Sequence, residues 1–241
     1  MRYVRNEAVE LLAEARLAEL ERALGAALGP PIPIDLLAEQ VLGLDFLWEV
    51  IDERPGEVVL GGLIPERRLI VLNERHHDLF LAKPGLERST KGHEMGHWDL
   101  FVDQSTLGQP GLPGLALDHG FVQRGSLAGT VRVLQALLRD PDGVELVRDL
   151  TARADDPAEA RAVNRYAAAI SMPRALLRAL LAEARPTRWP ELYRLAERFE
   201  VTITALKVRL EQLGLLHVSP DGRLHASRAE AAGQLMLWET G

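Results

Sequence analysis

Five consecutive residues, His93-Glu94-Met95-Gly96-His97, restrict the possible folds of this chain more than any other feature. Side chains four apart share a face on an α-helix, where both imidazoles reach one metal ion and the glutamate lies beside the open coordination position. The surrounding stretch, Leu86 to Val102, has helical spacing, so the motif is expected on a helix. Gly96 lowers helix propensity by ~1 kcal/mol against Ala, which calls for a reason such as close packing against a neighbouring strand. At such a site Zn2+ polarises a carbonyl and lowers the pKa of its bound water to ~7, while a glutamate accepts the water's proton. The expectation is a zinc peptidase with His93 and His97 as ligands and Glu94 as general base. The chain has no cysteine, so every ligand must be His, Asp or Glu. The competing reading is a chance cluster on an ordinary helix.

A length of 241 residues fits one core with appendages. The formal charge of −7 argues against indiscriminate nucleic-acid binding. No apolar run approaches the ~20 residues of a membrane span. Asn6 to Leu24 is charged and amphipathic, without the apolar centre of a secretion signal, so a soluble cytoplasmic protein is expected.

Val4 to Leu24 reads as a first helix, with Val4, Ala8, Leu11, Ala15 and Leu20 at helical spacing and Gly25 after the last turn. After Pro30-Pro31-Ile32-Pro33, Asp35 is expected to cap a short helix that stops at Gly43. Leu44 to Val50 should enter a sheet, and Glu57 to Leu63 with Arg68 to Asn73 should form a hairpin around Ile64-Pro65-Glu66-Arg67. An edge strand of that hairpin would suit an extended substrate peptide. Asp103 to Arg124 is rich in Gly and Pro and reads as a loop. Helices are expected over Ser126 to Arg139, Gly143 to Arg153, Asp156 to Ser171, Ala175 to Ala184, Pro190 to Phe199 and Ile203 to Leu213. A last hairpin turns at Pro220-Asp221-Gly222, and the tail from Ala226 is helical or frayed. The fold class is therefore α+β, mainly helical, with a small three-stranded antiparallel or mixed sheet beside the zinc helix. Residues 1–185 form the expected core and 186–241 a helix-turn-helix-like segment packed on it.

These features resemble the ImmA/IrrE family of metallopeptidases over most of residues 1–217. The resemblance is carried by Pro31-Ile32-Pro33-Ile34-Asp35-Leu36-Leu37-Ala38, by Leu69-Ile70-Val71-Leu72-Asn73, by the zinc helix and by Asn164-Arg165-Tyr166-Ala167-Ala168-Ala169-Ile170-Ser171-Met172-Pro173. Leu195 to Thr202 and Arg209 to Leu215 resemble the family's closing helix-turn-helix-like segment. Ser89-Thr90-Lys91-Gly92 departs from the family's apolar lead into the zinc helix. The resemblance implies a zinc protease that cuts a helix-turn-helix transcriptional repressor in a stress-response or mobile-element circuit. It also implies a third ligand, a Glu four residues before the Asn, where this chain has Ala160.

Glu159 is the nearest carboxylate, one position or about 100° off that register, and is the expected third metal ligand. As the N3 residue of a helix capped by Asp156, it also fits a capping box. Asp155 and Asp156 compete for the role. His119 is an alternative ligand or an oxyanion donor, and Asp118 could orient a histidine. His76 and His77 read as surface residues. From Arg188 to Glu211, five basic residues (Arg188, Arg194, Arg198, Lys207, Arg209) face four acidic ones (Glu191, Glu197, Glu200, Glu211), so direct DNA binding is not expected. Leu192, Leu195, Phe199, Leu206, Leu210 and Leu213 read as a packed helical pair, and Trp98, Trp189 and Trp238 as packing residues. The alternative function is a non-enzymatic binding or regulatory protein with a degenerate metal site.

Overall fold

The computed structural model describes residues 4–53, 58–107, 122–123, 157–183, 186, 188–231 and 233. It is α+β and mainly helical. The expected helices over Ser126 to Arg139 and Gly143 to Arg153, and Trp238, lie outside these residues. No helix among the described residues is long and apolar enough to cross a membrane.

Strand β1 (Asp45–Glu49) runs parallel to β3 (Leu69–Asn73), and β2 (Gly61–Ile64) is antiparallel to β3. A two-residue strand β4 (Val122–Gln123) pairs antiparallel with β2, making a four-stranded mixed sheet of order β1-β3-β2-β4. The sheet thus has one strand more than the sequence led us to expect, and β4 comes from a stretch that reads as loop. The hairpin turn over Pro65–Arg67 is a 3-10 turn closed by Arg68 at φ 51°. The strand expected from Glu57 begins only at Gly61. Before it, Val59 and Ile51 bond to a side chain instead of to a ladder. Buried Asn73 donates from Nδ2 to the carbonyls of Val59 (2.8 Å) and Ile51 (3.2 Å), and its Oδ1 accepts from the Ile51 N–H (3.1 Å).

Helix α1 (Asn6–Leu24) ends at Gly25 in the left-handed region, at φ 64°. Its inward face is not the one that the Val4, Ala8, Leu11, Ala15 and Leu20 spacing suggests. Val9, Glu10, Ala13, Leu17 and Leu20 are buried, and Leu11 is 54% exposed. The short helix α2 (Ile34–Leu36) continues as a π-helical turn, Leu37–Leu42, that stops at Gly43. Pro33 occupies its N-cap, so Asp35 does not cap it. The Asp35 carboxylate accepts from Lys91 Nζ at 3.0 and 3.1 Å instead.

After α3 (His77–Ala82), the helix α4 (Pro84–Phe101) carries the histidine motif, and α5 (Pro157–Ser171) crosses it. Gly92 and Gly96, four apart, mark the crossing. A Cβ on Gly96 would lie 3.0 Å from Val163 Cγ1 and 3.2 Å from the Val163 carbonyl, and one on Gly92 would lie 3.2 Å from Ala167 Cβ. The close packing expected at Gly96 is therefore present, but against a helix and not a strand. Backbone cannot yield as a flexible side-chain tip can. Gly96→Ala is expected to destabilise the fold by about 1–3 kcal/mol despite alanine's better helix propensity. Urea unfolding measures this, and equal or higher stability would contradict the tight crossing.

Polar ties fix how α4 sits. Asp99 accepts from Arg16 Nη2 (2.6 Å) and Nε (3.0 Å) on α1 and from Tyr166 Oη (2.9 Å) on α5. Burial, then the Asp99 charge, pushes the Tyr166 hydroxyl up from its ordinary pKa, so it stays a neutral donor.

The closing helices are α6 (Arg174–Glu183), α7 (Trp189–Phe199) and α8 (Ile203–Gln212), followed by a hairpin of β5 (His217–Val218) and β6 (Leu224–His225) and a short α9 (Arg228–Ala231). Leu192, Phe199, Leu206 and Leu210 pack together in one apolar cluster, which joins α7 to α8. Thr202 caps α8, its hydroxyl accepting from the Ala205 N–H. This unit lies against the rest of the chain. Fully buried Arg209 donates from Nη2 to Glu10 on α1 (2.8 Å) and from Nε to the Met172 carbonyl at the end of α5 (3.1 Å).

Candidate metal centre

Helix α4 buries His93, Glu94 and His97, with exposures of 1%, 0% and 4%. The two imidazoles meet edge-on, and their Nε2 atoms are 3.1 Å apart. Two nitrogens bound at 2.0–2.1 Å to a tetrahedral zinc lie about 3.3 Å apart, so the helix alone presents one edge of that tetrahedron. Imidazole nitrogens suit a Zn2+ ion, and the spacing of these two fits it.

Helix α5 supplies the outer contacts. The Asn164 amide oxygen lies 3.0 Å from Nδ1 of His93, and a Glu159 carboxylate oxygen lies 3.4 Å from Nδ1 of His97. An amide oxygen and a carboxylate only accept, so each favours a proton on the ring nitrogen it faces. With those tautomers the two Nε2 lone pairs would face each other at 3.1 Å, an arrangement that a cation or a shared proton would stabilise.

Of the residues singled out from the sequence, the structure gathers His93, Glu94, His97 and Glu159. Asp118, His119, Asp155 and Asp156 lie outside the described residues. Among the described residues no group of three His, Cys, Asp or Glu side chains is arranged to hold a metal ion. Glu159 is brought to the site, where its carboxylate meets the outer nitrogen of His97. The role of Asn164 was missed. Its position one turn after buried Ala160, on the helix that faces Gly92 and Gly96, is the signal that could have revealed it. His76 and His77 have partners of their own: His76 Nε2 is 2.6 Å from Glu53, and His77 stacks edge-on against Trp48.

No family model and no curated protein matches the chain. Among solved structures, a Mycobacterium tuberculosis transcriptional regulator aligns with 92% of this chain at 14% identity and a TM-score of 0.47. The chain spans only 55% of that protein's length.

Proposed function

We propose that this protein is a zinc-dependent endopeptidase of the ImmA/IrrE type, acting in the cytoplasm on a protein partner, with a helix-turn-helix repressor as the substrate class. The observation that carries this reading is the pair of Nε2 atoms 3.1 Å apart, each on a ring whose other nitrogen faces an acceptor. His93 and His97 would hold the ion, with Asn164 and Glu159 fixing their tautomers. When bound, zinc would supply a Lewis acid and a water of lowered pKa. Glu94, buried and next to His93 in the chain, would take the proton of the attacking water and pass it to the leaving amine. Gly92 and Gly96 hold the ligand helix against α5, so the outer contacts to Asn164 and Glu159 are preset. Helices α7 and α8 are read as a support for this core and not as a DNA reader, because Arg209 is spent on Glu10.

A second reading, a regulatory protein with a degenerate metal site, is favoured by Ala160 at the family's ligand position and by Glu159 lying against Nδ1 of His97. Metal content separates the two. Protein purified without chelator is expected to hold close to one zinc per chain by mass spectrometry, and His93→Ala or His97→Ala to hold almost none. Wild type that takes up no zinc when it is supplied would rule out the peptidase.

A further inference from the structure

We infer that Glu159 is a positioning residue that acts through His97, and is not the third metal ligand. The inference rests on the zinc reading of the site. Ala160 is 2% exposed at the α4–α5 crossing, and a residue one position earlier is turned about 100° around the helix. That turn sends the Glu159 side chain to the outer nitrogen of His97, at 3.4 Å, while Nε2 of the same ring faces His93. A carboxylate beside Nδ1 favours the proton on that nitrogen, and so leaves Nε2 free to bind the metal and helps to orient the ring. Asn164 does the same for His93 through an amide at 3.0 Å. Helix α5 therefore contributes two outer partners, one per ligand, spaced five residues apart along the chain, and the third ligand falls to a residue other than Glu159.

Zinc affinity, read by competition with a chromogenic chelator, distinguishes the two roles when combined with X-ray absorption of the zinc-loaded protein. Glu159→Ala is expected to weaken zinc by about 10–100-fold, the usual effect of losing such an outer partner. Glu159→Gln should recover most of that loss, because a carboxamide oxygen still accepts from Nδ1–H. The number of atoms bound to zinc should be the same in all three proteins. The inference fails if Glu159→Ala loses zinc as completely as His97→Ala with no rescue by Gln, or if absorption shows one oxygen fewer around the metal. It also fails if Glu159→Ala binds zinc as tightly as wild type. A wild type that binds no zinc would instead refute the metal reading beneath it.

Discussion

Glu94→Gln is expected to keep one zinc per chain and to lose peptide hydrolysis by a factor of at least about 100. The substitution is nearly isosteric, and Glu94 sits fully buried in α4, which the close approaches at Gly92 and Gly96 and the hydrogen bonds of Asp99 hold in place. A carboxamide cannot accept the proton of a metal-bound water, so the ion would remain with its general base gone. Because binding would outlast chemistry, the variant should also serve as a trap for the substrate. Co-purification from cells is expected to enrich a helix-turn-helix protein, and timed incubation of that protein with wild type should yield discrete fragments. Cleavage at the wild-type rate by Glu94→Gln would sink the mechanism.

Arg209→Ala should cost about 3–5 kcal/mol of stability, the range seen when one partner of a buried ion pair is removed. Arg209 is 0% exposed and Glu10 3%, so truncation strands a carboxylate between α1, α5 and α8. Arg165 Nη1, 2.9 Å from the same carboxylate, compensates only in part. The double variant Glu10→Leu with Arg209→Met, apolar at both positions, should recover much of the loss. Equilibrium urea unfolding gives both values, and a loss below about 1 kcal/mol for Arg209→Ala would show that the pair contributes little. The pH dependence has a definite sign. Burial pushes the Glu10 carboxyl up, but hydrogen bonds and charge from Arg209 and Arg165 outweigh it and hold the pKa below the ordinary value. A group depressed in the folded state adds stability that is fully present above its unfolded pKa and lost as pH falls through the folded one. Wild type should therefore lose more stability on acidification than Glu10→Gln.

The sequence by itself determined the features that depend on local rules. Helix period places the histidine motif on α4, and Pro, Gly and Asp mark where α5, α7 and the two hairpins turn. The convergence of His93 and His97 was legible for the same reason, since residues four apart on a helix are neighbours in any fold. Only the tertiary structure decided which way each element faces. On α1 the apolar residues are spread around the helix, and a Glu is not expected inside. The inward face contains Glu10 because Arg209, 199 positions away, is buried opposite it. Gly96 called for a close neighbour, but whether a strand or a helix fills that space depends on the chain's path back to Val163. β1 lies parallel to β3, with β2 inserted between them in sequence, and Asn73 takes the hydrogen bonds that would have extended β2 toward Glu57. Glu159 could be placed near the histidine pair from its distance to Asn164, but the nitrogen it meets is set by the rotation of α5 against α4. Periodicity is a property of the neighbouring residues, whereas azimuth is fixed by partners far away in the chain, which pattern and propensity do not encode.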